Sequence, residues 1–384
     1  MQRLAMVWLV MILTGSGAKM GLVEFLNQCP VFAVGVFIGI YLDRYDLRLV
    51  LIGTQLAMIL HSLILAGFLY FGLISYPVIL VLSFLLGVIT AVDMPARQAC
   101  ISQMIDHPSQ LQSALSLQSG SFNLARLAGP AVAGFIIKSS GEMACFLLNA
   151  VAHLAVLYAY IIMRLPKRKL AKRDQRILDS LREGLSYAWS VQPIRLCALF
   201  NYMFCCAAVP YIVLIPIFAK DVLGGDSRHL GFLLGGFGLG AVIGALYIAS
   251  KIEARDLPRY IWRMQLLFGV AFLVFCFVTE WYIAVLFTPF LGFTMVSSLI
   301  SNNSLIQMLV DEDKRGRVLS YYSFGLLGFG PVGALLFGML ADRSDVQTAC
   351  LVCAVTCLII GIVHSRWQKD YDATVPAILA TKRL

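Results

Sequence analysis

Eleven stretches of nearly unbroken apolar sequence, each 19 to 25 residues long, run through this chain of 384 residues: 20–42, 49–71, 77–97, 114–137, 143–163, 194–218, 230–250, 260–278, 282–306, 318–340 and 346–364. About 20 apolar residues coiled as a helix cross the hydrocarbon core of a bilayer, ~30 Å thick, whereas a barrel strand needs only about 10. Inside that core each backbone amide must find its partner within its own segment, so runs of this length read as helices. Composition agrees, with 60% of residues hydrophobic and 13% charged, against about 25% charged in a soluble domain. A twelfth stretch, 4–13, holds only ten residues, about 15 Å of helix. The expected fold is an all-α polytopic membrane protein of about 12 spans, the first of them incomplete.

The net charge of +9 could suggest a nucleic-acid partner, but in a membrane chain the placement of basic residues carries more information than their sum. Alternate loops and the C-terminal tail hold 23 Lys and Arg, while the intervening loops hold five: Lys19, Lys138, Lys220, Arg228 and Arg343. That bias puts the basic loops and the C-terminus in the cytoplasm and leaves no need for nucleic acid. The ten cysteines lie almost entirely within apolar stretches, without the paired loop spacings of a disulfide framework. Cys350, Cys353 and Cys357 share a helix face, yet no His or carboxylate lies near them in sequence. They read as small buried residues, and neither a metal nor a cofactor is expected.

A basic interval, with RLPKRKLAKRDQR followed by Ile177, Leu178, Leu181, Leu185, Ala188 and Trp189 at helical spacing, separates six spans from six. The division is an N-terminal six-helix bundle over 1–163, a linker with an interfacial helix over 164–193, a C-terminal six-helix bundle over 194–365 and a cytoplasmic tail over 366–384. The tail carries no readable signal. The halves echo each other: Gln103-Met104 and Gln307-Met308 end corresponding spans, and Gly129-Pro130 and Gly330-Pro331 lie in the next ones. Repeats of this kind, related by an axis along the membrane normal, suggest a transporter. Enzyme motifs such as H-E-x-x-H, G-x-S-x-G or a P-loop are absent, and Gly235, Gly236, Gly238, Gly240 and Gly244 read as helix-packing surfaces.

Four places carry ionisable or kink-forming residues. The loop after the second span reads Gly35-Val-Phe-Ile-Gly39-Ile-Tyr-Leu-Asp43-Arg44-Tyr-Asp46-Leu-Arg48, an acid and two bases able to form different ion pairs in two arrangements of the bundles. The fourth span ends Asp93-Met-Pro95-Ala-Arg97-Gln-Ala; Asp93 and Arg97, four apart, share a helix face and can neutralise each other, while Pro95 frees a carbonyl. The fifth holds Arg126-Leu-Ala-Gly129-Pro130-Ala-Val-Ala-Gly134, where Gly and Pro favour a kink and buried Arg126 needs an acid, a polar cluster or an anionic substrate. In the second half come Asn302, Asn303 and Gln307, then Arg315-Gly-Arg-Val-Leu-Ser and Gly328-Phe-Gly330-Pro331-Val-Gly333. Other polar residues within spans are Glu24, Asn27, Gln28, His61, Asn149, His153 and Asn201. Glu24 and Asp93 are the carboxylates placed to carry a proton, while single histidines in spans more often serve packing.

These strings resemble the major facilitator superfamily. Asp43, Arg44 and Arg48 match its loop signature G-x-L-A-D-R-x-G-R-R, with Asp46 for the second glycine and Leu47 for a basic residue. Asp46 and the D-x-P-A-R-Q-A string resemble the branch of drug, macrolide and siderophore exporters, and Gly129-Pro130 resembles the antiporter signature G-P-x-x-G-G, with Ala133 in place of its first paired glycine. The resemblance implies alternating access and proton-coupled export of an amphipathic small molecule across the bacterial inner membrane. Gly39, Asp43, Arg44 and Arg48 would be the conformational gate and Asp93 or Glu24 the proton site. Arg97, Arg126, Asn27, Asn303 and Gln307 would form ion pairs or face substrate, and Pro95, Gly129, Pro130, Gly330 and Pro331 would mark kinks. Expected partners are the substrate, protons and membrane lipids, with the chain a monomer. In the second half Ile248 stands where Asp43 does, so the gate is asymmetric. Trp8 to Ser16 resembles the outer half of the family's first helix, so a truncated start is favoured over a signal peptide. The alternatives are an importer of a small nutrient and a non-transporting pseudo-carrier.

Overall fold

The computed structural model of the chain describes residues 2–42, 45–104, 111–163, 185–311 and 314–381. Among these there is no strand. The helices are α1 (Gln2–Thr14), α2 (Gly17–Leu42), α3 (Leu47–Tyr70), α4 (Tyr76–Gln103), α5 (Leu111–Ile162), α6 (Gln192–Ala208), α7 (Tyr211–Asp221), α8 (Ser227–Lys251), α9 (Leu257–Phe275), α10 (Trp281–Leu309), α11 (Arg315–Arg343), α12 (Val346–Ser365) and α13 (Gln368–Thr381). Each of the twelve apolar stretches falls on one of them once α5 is divided and α6 and α7 are joined. By length and composition, seven of the described stretches can cross a membrane alone, among them Ala128–Ile162 and Gln192–Asp221.

Helix α5 is two spans. Gly141 sits at φ 78°, ψ 173°, a conformation that costs glycine little and any other residue much. The Cys145 thiol lies 3.6 Å from the Ala133 carbonyl, whereas 12 residues of straight helix would separate them by about 18 Å, so the chain doubles back. Between α6 and α7, Pro210 removes one amide donor and the single span Gln192–Asp221 is interrupted without reversing. Acidic caps begin three helices: Asp46 accepts the Arg48 amide at 2.9 Å, Asp226 accepts those of Arg228 and His229, and Asp345 accepts that of Thr348.

Each half packs chiefly within itself, α2 on α4 and α3 on α5 in the first, α8 on α10 and α9 on α12 in the second. Two seams, α2 against α11 and α5 against α8, join the halves. Glycines set the closeness of both. A Cβ on Gly17 would lie 2.8 Å from the Gly338 carbonyl, one on Gly21 2.8 Å from Leu335 Cα, and one on Gly134 2.9 Å from Gly231 Cα, so backbones touch where small residues permit it. Gly236, Gly240 and Gly244 meet Thr288, Pro289 and Ser297 of α10 in the same way. Outward faces carry Leu60, Leu246 and Leu286, all exposed, as lipid contact requires.

The tail is more than a solvated extension. Tyr371, Val375 and Leu379 of α13, spaced four apart, are all buried. The Tyr371 hydroxyl meets His364 Nε2 at 3.1 Å, His364 Nδ1 meets Gln265 Oε1 at 2.8 Å, and Phe200 stacks on the imidazole at 4.2 Å. Trp262 adds a bond to Gln368 Oε1 at 2.8 Å. Most of the linker, 164–184, lies outside the described residues; in its last turns Ala188 is buried, Leu185 and Trp189 are exposed, and Tyr187 donates to Asp311 at 2.8 Å.

Candidate functional site: a polar seam through the first half

The buried face of α3 carries Thr54, Gln55, His61 and Ser62 among Leu51, Met58 and Leu65, polar groups that must find partners inside the bundle. They do so in two clusters. Near the end of the bundle that carries the tail, Asp93 is 3% exposed. Its Oδ1 accepts from Thr54 Oγ1 at 2.8 Å and from Gln55 Nε2 at 3.0 Å, and its Oδ2 pairs with Arg97. Gln55 Oε1 in turn accepts from His153 Nδ1 at 2.7 Å. Nearer the middle, His61 Nε2 donates to the Leu82 carbonyl at 2.9 Å, which leaves Nδ1 to accept from Gln2 at 2.7 Å. Asn149 and Ser62 complete that cluster on Gln2 Oε1, at 2.6 and 3.2 Å.

Glu24, 4% exposed, makes a two-point ion pair with Arg3 of α1, one arm at 3.0 Å. Both candidate proton carriers therefore have an arginine partner that a proton would release. Arg3 is half exposed and stood in the sequence without an assigned partner.

The remaining candidates are dispersed. Asp43 and Arg44 lie outside the described residues, Gly39 falls in the last turns of α2, and Arg126 lies on α5 with a side chain outside those described. Arg48 binds within its own half, its guanidinium on the carbonyls of Tyr160, at 3.0 Å, and Ile161, where a cation complements a helix C-terminus. Asn27 donates to the Ser83 carbonyl at 3.3 Å, and Gln307 donates to Asn303 at 3.2 Å. Pro95, Pro130 and Pro331 all sit inside helices that continue through them. Gly129 has open space beside it, while Gly330 packs against Val209.

A contact that the sequence reading did not single out closes the face opposite the tail. Asp342, at the end of α11, accepts from the Gly17 amide and the Ser16 hydroxyl at 2.5 Å each and from the Ala18 amide at 3.2 Å. An acid of the second half thus caps the N-terminus of α2 in the first, where amides lack partners and the helix dipole favours negative charge. At the other seam Lys138 reaches Asp226 at 3.1 Å, and Ser227 donates to the Gly134 carbonyl at 3.3 Å. Burial acts to raise the Asp226 carboxyl, but Lys138, His229 and the amides of His229 and Arg228 outweigh it and hold it well below the usual carboxylate range.

Two helical halves joined along glycine seams, with acid–arginine pairs inside the spans, define a polytopic membrane transporter rather than an enzyme. Known proteins agree. A model of the transmembrane secretion effector family matches residues 1–374, and the chain belongs to that family of the major facilitator superfamily. The staphyloferrin A transporter of Staphylococcus aureus is 24% identical over 93% of this chain and 89% of its own length. The multidrug efflux pump Tap of Mycolicibacterium fortuitum is 24% identical over 94% and 89%, and macrolide efflux protein A of Streptococcus pyogenes 21% over 94% and 90%. Among solved structures, a bacterial homologue of the human lysosomal transporter Spinster aligns with TM-score 0.72 at 13% identity, covering 99% of this chain and 94% of that one. The nucleoside transporter NupG aligns with TM-score 0.70 at 13% identity, covering 95% and 94%. These two likenesses concern the fold.

Proposed function

We propose that this transporter exports an amphipathic small molecule, a drug, macrolide-like compound or siderophore, in exchange for protons, from the bacterial inner membrane with its tail in the cytoplasm. The observation that carries the proton reading is Asp93, a buried carboxylate held by Thr54, Gln55 and Arg97 of the same half. A proton on Asp93 removes the charge that fixes Arg97 and weakens the contacts joining α4 to α3, which couples protonation to helix packing. The export direction is supported by the efflux proteins among the relatives and the siderophore class by the staphyloferrin A transporter. The inward orientation of the tail is supported by the 23 to five asymmetry of basic residues.

In this reading the two bundles, 1–163 and 194–365, rock about a central cavity as a monomer in the lipid. Gly39, Asp43, Arg44 and Arg48 gate the cytoplasmic face, and Glu24 with Arg3 is a second site of protonation. The test is accumulation of fluorescent hydrophobic compounds and macrolides in a pump-deficient bacterial host. Wild-type expression lowers accumulation, Asp93→Asn restores it to the level of the empty vector, and collapse of the proton gradient does the same. Export by Asp93→Asn and Glu24→Gln that still depends on the gradient contradicts the assignment.

A further inference from the structure

Three helices meet at one amide. Gln55 of α3 is wholly buried; its NH2 faces Asp93 of α4 at 3.0 Å, and its oxygen faces His153 Nδ1 of α5 at 2.7 Å. A primary amide has a donor end and an acceptor end, and a half-turn about its last bond exchanges them. An ionised carboxylate only accepts, so it demands the NH2, and the oxygen left over then demands an N–H from His153. A protonated carboxyl reverses the demand. Its hydroxyl needs an acceptor, the Gln55 oxygen can turn to it, and the NH2 swings to His153, whose Nδ1 must then be bare.

We propose that Gln55 and His153 are positioning residues of the proton-coupling site, a hydrogen-bond switch that sets how readily Asp93 takes its proton and passes the change from α4 through α3 to α5. The inference deepens the proton reading of Asp93 and rests on it. Protons balance: one arrives on Asp93, and the imidazole keeps a single N–H that moves from Nδ1 to Nε2. Among the described residues, the ionisable groups near the site are few. Arg97 holds the other carboxylate oxygen, Tyr160 of α5 lies beside Arg97 with Cys100 near it, Arg48 of α3 is engaged on the end of α5, and α2 from Pro30 to Leu42 carries Tyr41 alone. Glu24 is occupied by Arg3 of α1. His153 is thus the imidazole that Gln55 links to Asp93.

Difference infrared spectroscopy of the purified protein reads the carboxylic C=O band of Asp93, identified by its loss in Asp93→Asn, as a function of pH. Hydrogen bonds to charged groups are the strong ones, so Gln55→Leu is expected to raise proton affinity about tenfold and move the midpoint up by about one unit. His153→Phe moves it the same way by about threefold, the double variant moves no further than Gln55→Leu alone, and His153→Gln, which keeps both a donor and an acceptor, stays near wild type. Elution as a single species on size exclusion certifies each variant, and the contrast between His153→Phe and His153→Gln carries the test if Gln55→Leu does not fold. A titrating Asp93 band that ignores both substitutions, or shifts that simply add, overturns the switch while leaving the proton reading standing. Absence of any titrating Asp93 band overturns both.

Discussion

The ion pairs within the spans are the residue-scale basis of the account. Asp93 and Glu24 are buried beside half-exposed Arg97 and Arg3, and an acid deprived of its base in a low-dielectric bundle is costly. Arg97→Gln is therefore expected to flatten the pH dependence of export, read as transport rate between about pH 6 and 8. On the opposite face, Asp226 behaves in the contrary way. Its carboxyl is held below the usual range, so its contribution is complete above the unfolded value of about 4 and fades only as pH falls through the lower folded one. The Lys138–Asp226 contact should persist unchanged at pH 5 and disappear at any pH in Asp226→Asn, measured as the distance between spin labels at Ser75 and Glu280 in a cysteine-replaced background. That result would assign proton coupling to the interior and keep it from the clamp on the face opposite the tail.

At the scale of elements, the seams decide which face closes. Gly21 leaves no room for a side chain against Ala334 and Leu335, so Gly21→Leu should keep α2 and α11 apart, lengthen the Ser75 to Glu280 distance and reduce export at least tenfold. Asp342→Ala removes a cap worth about 1 kcal/mol, roughly fivefold in the ratio of closed to open, and the same labels should report the shift. Tyr371 anchors α13 against Cys197 and against His364, which Gln265 holds in turn. Tyr371→Ala should cost about 3 kcal/mol, seen as a lower thermal midpoint. Helices were legible from the sequence because apolar length and loop charge are local properties. The docked tail was written in Tyr371, Val375 and Leu379, a spacing obscured by the surrounding Lys369, Asp370 and Asp372. Asp342 was invisible for a different reason, since its partners lie more than 320 residues away and backbone amides leave no mark in a sequence.

For the whole molecule, the polar contacts between the halves among the described residues gather on the face opposite the tail, with Asp342 on α2 and Lys138 on Asp226. The arrangement suits one of the states an alternating carrier visits, sealed on the outer side when the tail is cytoplasmic. The candidate residues read from motifs are dispersed: Asp93 meets Arg97 and Gln307 meets Asn303, each four apart on one helix, whereas Asn27 bonds to Ser83 elsewhere. Spacing along one helix predicts an i, i+4 pair, but the three-helix junction at Gln55 depends on how α3, α4 and α5 pack. The most direct test of the central claim is transport by the purified protein in liposomes with an imposed pH gradient, following a radiolabelled macrolide, a hydrophobic dye or a siderophore together with internal pH. The account predicts substrate moving against protons in wild type, and neither flux in Asp93→Asn. Substrate movement without proton movement, or equal proton movement in Asp93→Asn, would contradict it.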